Sequence, residues 1–364
     1  MVDGDIMNTI DEFLEHYPNK HTSVQYRLHL NDFFKTMKVD PDKYLNNGRD
    51  YWKDIETYWK TFINRPPKTR ILAMTVIKMF LEENGIEFKR SEWRKLSRRA
   101  KGSKSMTKDK VPSPEELKDI LQHARIQAKS LFITLATSGM RVGEALALTP
   151  KNIDLDHNPA KIEIPAEATK TGTGRTTFIT NEARDCIKEW LKVRERYLIT
   201  AVKRSTKSDK NPNDNRVWPF HYQTAYEMWY RLIYDSKYNK KFESKMFRKQ
   251  RYEHHIHGLR KFFRSRLPKA IGVDMTEFLM GHEGYLTREY RNYSDEELGK
   301  EYLKGMDRLL IFETPADTSD IRESLTQKDK QMAAMQEQMK QMKDQIDEMR
   351  LERLEQLNGI KKKK

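Results

Sequence analysis

Five basic side chains followed by a tyrosine stand out in the second half of the chain: Arg141, Lys170, His257, Arg260 and His282, then Tyr290. Guanidinium, ammonium and imidazole groups gathered round one phosphate would stabilise the charge that develops on its non-bridging oxygens. A phenol, with an ordinary pKa of about 10, is a poor nucleophile at neutral pH and needs both that positive site and a base. These residue types together describe cleavage of a DNA strand by a tyrosine hydroxyl, chemistry that calls for neither metal nor cofactor.

Each group has its own local setting. Arg141 follows Thr137-Ser138-Gly139-Met140 and precedes Val142-Gly143-Glu144. A helix ending at glycine with a new helix starting at arginine would put a guanidinium beside free backbone N–H groups. Glu144 shares the face of Arg141; the plainer alternative is a surface ion pair. In His257-Gly258-Leu259-Arg260 the two end residues lie on one helix face. In Phe278-Leu279-Met280-Gly281-His282 a glycine turn presents the histidine. Lys170 sits in Ala168-Thr169-Lys170-Thr171-Gly172-Thr173-Gly174-Arg175, which lacks the GxxxxGK[ST] pattern of a nucleotide loop. His254 and His255 beside His257 hint at a metal, but no second group of ligands accompanies them, so no metal site is expected.

These segments resemble the boxes of the tyrosine recombinases, also called the phage integrase family. The stretch Thr137 to Leu148 is similar to the first box, His257 to Arg260 to the second (HxxR), and Phe278 to His282 to the third. Many relatives carry a second histidine where this chain has Lys261. The lysine loop resembles the GKGxKxR hairpin, with Thr173 in place of the second lysine. The position at which many relatives place the nucleophile is Arg291 here, and the candidates are Tyr285, Tyr290 and Tyr293. Tyr290 fits best because Thr287 precedes it as a threonine does in the family; Tyr293 is the fallback. The resemblance implies that Arg141 and Arg260 clamp the phosphate, His257 takes the tyrosine proton, Lys170 protonates the leaving 5′ oxygen, His282 bonds the phosphate, and Glu144 braces the fold. It implies a homotetramer on paired DNA sites, with a C-terminal segment exchanged between protomers. A type IB topoisomerase would use a similar residue set, and an inactive DNA-binding regulator could keep the fold.

The rest of the chain must position these groups. Its 364 residues are 37% hydrophobic and carry a net charge of +15, which favours polyanionic partners, nucleic acid foremost, and the resemblance implies that the partner is double-stranded DNA. No run of about 18 apolar residues is present and the opening residues are acidic, so no membrane is expected and cytoplasm is the default. Cys186 is the single cysteine, which excludes an intrachain disulfide. From Ile6 to Phe88 the apolar residues recur at helical spacing, including Ile10, Phe13, Leu30, Phe33 and the stripe Ile71, Met74, Ile77, Phe80, Leu81. Around residues 161–180 the period changes to two, through Ile162 and Ile164 and then Thr176, Phe178 and Thr180, which predicts a small hairpin. The expected fold is therefore mainly α with a small β-sheet. Its parts are a helical, core-binding-like domain over 1–100, a basic linker over 101–111, a catalytic domain over 112–313 and a tail over 314–364.

Lys89, Arg90, Arg94, Lys95, Arg98, Arg99, Lys101 and Lys104 form a basic strap suited to a phosphate backbone, joined by Lys203 and Arg204. A solvated helix face is the alternative. In the tail, Met332, Met335, Met339, Met342, Ile346 and Met349 alternate three and four apart, a heptad seam that predicts a coiled coil. Such a tail resembles those of archaeal mobile-element integrases.

Overall fold

The computed structural model describes residues 9–45, 48–63, 65–99, 110–205, 210–241, 251–282 and 293–313, with residues 331, 335, 338, 339 and 342 beyond them. The chain divides into two compact units, one of residues 1–108 with 241–251 and the other of residues 109–240 with 252–364. The linker residues Lys101 and Lys104 and the nucleophile candidates Tyr285 and Tyr290 lie outside the described residues. Of the tail, Met335, Met339 and Met342 are helical and exposed.

Among the described residues the elements of the first unit are helices: α1 (Thr9–Glu15), α2 (Lys20–Met37), α3 (Pro41–Tyr44), α4 (Tyr51–Thr61), α5 (Pro67–Glu83) and α6 (Arg90–Arg99). Starts are set by local chemistry. The Asn19 carboxamide accepts from the N–H groups of His21 and Thr22 to cap α2, and proline occupies the first turn of α5. The core is aromatic, with Phe33 meeting Phe34, Tyr44 and Tyr58 edge-on at 5.3–5.5 Å. Along α5 the buried face is Ala73, Met74, Val76, Ile77, Phe80 and Leu81, whereas Ile71, placed on that stripe by the sequence, is 48% exposed. On α6, Leu96 is buried and Trp93 packs on the core, while Lys89, Arg90, Arg94, Lys95, Arg98 and Arg99 are exposed.

The second unit opens with α7 (Pro114–Leu121), started by a reciprocal cap in which Ser113 Oγ accepts from Glu116 N and the Glu116 carboxylate accepts from Ser113 N. Next comes α8 (Ile126–Ser138), whose residues 130–138 are all buried. A helix apolar on every side belongs at the centre of its domain, and α10 (Asn181–Arg204) and α12 (His257–Arg266) pack against it. The short α9 (Val142–Ala147) follows, then three antiparallel strands: β1 (Ile153–Asp154), β2 (Lys161–Ile164) and β3 (Arg175–Phe178), in that order. Ile164 pairs with Arg175 and Lys161 with Phe178. The period-two reading fails at its end. Thr177, rather than Thr176, is fully buried and its hydroxyl donates to the Ser138 carbonyl, while Thr180 leaves the strand to cap α10. The remaining helices are α11 (Tyr222–Asp235), α13 (Pro268–Ile271), α14 (Val273–Leu279) and α15 (Asp295–Gly305). Tyr302, on α15, is buried and donates to the Thr137 carbonyl at 2.8 Å, so α15 is held to the end of α8.

Candidate functional site

The C-terminal end of α8 sets the first arginine. Gly139 takes φ 67°, the left-handed conformation that ends a helix, and a Cβ there would lie 2.6 Å from the Phe263 ring on α12. The chain then turns so that Arg141 stands at the start of α9. Its own backbone N–H is not free, as the sequence led us to expect; it donates to Glu144 Oε2 at 2.8 Å. The guanidinium donates through Nη1 to Glu144 Oε1 at 2.7 Å, and the side chain is 34% exposed. Its other N–H groups have no partner among the described residues.

Glu144 itself is buried, and it is no surface ion pair. Arg175, at the start of β3, donates Nη2 to Glu144 Oε2 at 2.6 Å and Nη1 to Oε1 at 3.2 Å, while its Nε donates to the Leu279 carbonyl at 3.2 Å. Burial would raise the Glu144 pKa, but the bonds from Arg175 and then Arg141 overcome this and hold the carboxyl below its ordinary value. In the sequence Arg175 stands only as the end of a hairpin motif. The signal that could have found it is an arginine at the first paired position of a strand beside the glycines.

Arg260 joins the three boxes. Its guanidinium donates to the Gly139 carbonyl, to the Met280 carbonyl at 2.8 Å and to His282 Nε2 at 2.8 Å. Burial, and after it the like charge of Arg141, lowers its pKa to about 10, so it remains a cation at neutral pH. Because a guanidinium can only donate, His282 Nε2 accepts and the ring proton sits on Nδ1, where it donates to Glu277 Oε2. Glu277 also accepts from Arg264. Burial alone would raise the Glu277 carboxyl, yet the bonds from His282 and Arg264 keep it low. Glu277 was not singled out from the sequence, although an acid on the helix leading into a glycine–histidine turn is a legible signal. Gly281 takes φ 69°, and a Cβ on it would meet the Arg175 stem at 2.6 Å.

The structure therefore brings Arg141, Glu144, Arg260 and His282 into one network and adds Arg175 and Glu277. His257, at the start of α12, is exposed, and its backbone N–H donates to His255 Nδ1 at 3.3 Å. Lys170 lies in the turn between β2 and β3, exposed, with no hydrogen bond or ion pair among the described residues. Tyr293 is 43% exposed; its ring packs 6.1 Å from Phe278 and lines a hollow with Val273 and Glu301. Lys203 and Arg204 are exposed in the last turn of α10. His254 is buried and its backbone carbonyl accepts from Trp229; among the described residues no cluster could hold a metal ion. Nor is any helix of the described residues long and apolar enough to cross a membrane.

Residues 104–297 match the phage integrase family. Among solved structures, a lambda integrase dimer bound to a core DNA site is similar at a TM-score of 0.54 and 13% identity, over 79% of this chain and 98% of that one. A lambda integrase tetramer bound to a Holliday junction gives 0.52 and 14%, over 78% and 79%. The Tn1549 transposon integrase, with circular intermediate DNA, gives 0.52 and 16%, over 80% and 97%. At these identities the likeness is one of fold. No curated protein matches the chain.

Proposed function

Because the chain belongs to the phage integrase family, the tyrosine-type site-specific recombinases, we propose that it cleaves and rejoins duplex DNA through a 3′-phosphotyrosyl bond formed by Tyr290. The observation that carries this reading is Arg260, one buried guanidinium tied to the Gly139 carbonyl, the Met280 carbonyl and His282, so that three sequence motifs converge beside the half-exposed Arg141.

In the proposed reaction the scissile phosphate lies against the open edge of Arg141 and beside Arg260. Planar forks match phosphate oxygens and stay charged throughout. The phenol oxygen of Tyr290 attacks phosphorus as His257 accepts its proton, the bond from phosphorus to the 5′ oxygen breaks, and Lys170 gives that oxygen a proton. Attack on the phosphotyrosine by a 5′ hydroxyl of another strand reverses these steps, and no external energy source is needed. His282 would hydrogen-bond the phosphate when DNA is bound; without it, Nε2 stands 2.8 Å from Arg260 Nη2 and Nδ1 faces Glu277, which keeps the ring beside the Arg260 guanidinium. The exposure of Lys170 in a glycine-rich turn fits a residue that meets its target when DNA is bound. Tyr290 is favoured over Tyr293 because the Tyr293 ring is engaged with Phe278.

Residues 1–100, with the exposed basic face of α6, would supply phosphate contacts, as would Lys203 and Arg204. Four protomers on paired sites follow by analogy with the lambda integrase tetramer. The test is incubation with supercoiled plasmid in EDTA, a detergent quench and peptide mapping of any DNA adduct. A nucleotide on Tyr290, lost in Tyr290→Phe with DNA binding intact, is the expected result. An adduct on Tyr293 would move the nucleophile, and no adduct on plasmid carrying a genuine site would overturn the reading.

A further inference from the structure

We propose that Arg175 is a positioning residue for the phosphate clamp: it occupies the Glu144 carboxylate so that Arg141 is not neutralised and keeps its outer edge for phosphate. The inference rests on the strand-cleavage reading above.

A carboxylate offers about four acceptor positions, and here all are taken. Oε1 accepts from Arg141 Nη1 and Arg175 Nη1; Oε2 accepts from the Arg141 backbone and Arg175 Nη2. Arg175 thus holds both oxygens with its fork, and Arg141 touches the carboxylate with one guanidinium nitrogen only. Paired forks are the preferred geometry between arginine and a carboxylate. Without Arg175, a buried Glu144 would have Arg141 as its remaining cation, and the Arg141 fork would close on it. The positive group meant for phosphate would then be spent on an internal ion pair.

Arg175 is not itself placed to bind DNA. Its side chain is 9% exposed, its Nε is committed to the Leu279 carbonyl, and its stem fills the space that Gly281 leaves by lacking a Cβ. These contacts fix it from the β3 side and the α14 side at once. Among the groups that lower the Glu144 pKa, Arg175 stands ahead of Arg141, in keeping with its being the principal counter-ion.

Four proteins decide the matter: wild type, Arg175→Met, which keeps an apolar stem against Gly281 without the charge, Arg175→Lys, which keeps the charge, and the double variant Glu144→Gln with Arg175→Met. Each is titrated with inorganic phosphate by 31P NMR and assayed for covalent attachment to supercoiled plasmid in a single turnover. Arg175→Met should weaken phosphate binding and slow attachment by roughly 10²-fold, the scale of a lost electrostatic group at such a site. The lysine variant should stay within about tenfold of wild type, and the double variant should recover at least about tenfold over Arg175→Met, because a neutral amide does not neutralise Arg141. Wild-type phosphate affinity in Arg175→Met, or a double variant as impaired as the single one when both unfold at the wild-type temperature, overturns the proposal. Should Arg175→Met fail to fold, a folded Arg175→Lys that loses the full hundredfold does the same. A wild type that binds phosphate yet never joins DNA would sink the strand-cleavage reading while leaving the phosphate arm to judge Arg175.

Discussion

Each unit buries a carboxylate against arginine, and the two arrangements differ in what they leave over. In the first unit Asp54 accepts from Arg49 through Nε at 2.8 Å and Nη2 at 3.1 Å, and from the Tyr44 hydroxyl at 3.0 Å. One anion meets one cation through two guanidinium nitrogens, so the pair carries no surplus charge although Arg49 is 31% exposed. In the second unit one Glu144 is shared by Arg141 and Arg175, so the group carries surplus positive charge, and Arg260 nearby adds more. The closed pair can only hold the fold. An open one leaves a field that the phosphate of the proposed reaction would complete, and like charges gathered this way are characteristic of sites that hold an anion.

The largest effect that would test this contrast falls on Arg260. Lysine retains the charge but cannot reach the Gly139 carbonyl, the Met280 carbonyl and His282 together. Arg260→Lys should lower single-turnover DNA attachment by about 10²–10³-fold with DNA binding little changed, measured by gel shift beside the cleavage assay. If cleavage survives, the charge at this position suffices without the bonds to Gly139, Met280 and His282, and the convergence of three motifs on the Arg260 guanidinium is not what does the work.

Next in size is the closed pair. Asp54→Asn leaves the partly buried Arg49 uncompensated, which should cost about 2–3 kcal/mol of stability, below the value for a fully buried pair because Arg49 is 31% exposed. Urea unfolding would read this as a lower midpoint at unchanged slope. Below its unfolding transition the variant should attach to DNA at the wild-type rate. A folded Asp54→Asn that loses cleavage would show that the two pairs do not divide the labour as argued.

The sequence carried the contrast unevenly. Arg141, Arg260 and His282 were legible because each lies in a short motif whose meaning is local: a glycine helix end, two residues on one helix face, a glycine turn. So were the mainly helical fold and the Ser113 cap, which depend on neighbours a few residues away. What was not legible depends on distant chain segments meeting. Arg175 finds Glu144 across 31 residues and the Leu279 carbonyl across 104, and no local pattern announces either. Thr177 departs from the strand alternation because its hydroxyl serves the end of α8. Glu182 reads as an ordinary acid in the first helical turn, yet its carboxylate accepts from the N–H groups of Ile311, Phe312 and Glu313, 129–131 residues away. Ile71 fitted the helical stripe and is exposed, since periodicity marks a face without fixing its edge.

His254 is a third kind of buried polar group, with neither a closed partner nor an open task, and it should give the smallest effect. Its ring Nδ1 lacks a hydrogen-bond partner among the described residues, and Nε2 stands 4.0 Å from Glu116 Oε2. Burial lowers its pKa; Glu116 and Glu253 pull it up and Lys110 pushes it down, and burial outweighs them. A histidine depressed in the folded state is protonated first in the unfolded chain. The stability that its neutral form contributes is therefore present above the unfolded value of about 6.5 and is lost as pH falls from there towards the folded value. Urea midpoints for wild type and His254→Phe, taken at pH 7.5 and again below 6.5, isolate this histidine from the others. The variant should lie within about 1 kcal/mol of wild type at the higher pH, since phenylalanine removes an unpaired polar atom while filling a similar space. At the lower pH it should be the more stable of the two. Equal pH dependence for the two proteins would mean that His254 keeps its proton equilibrium on folding, whereas a wild type that gains on the variant at the lower pH would mean that Glu116 forms with it a pair closed in the manner of Asp54 and Arg49.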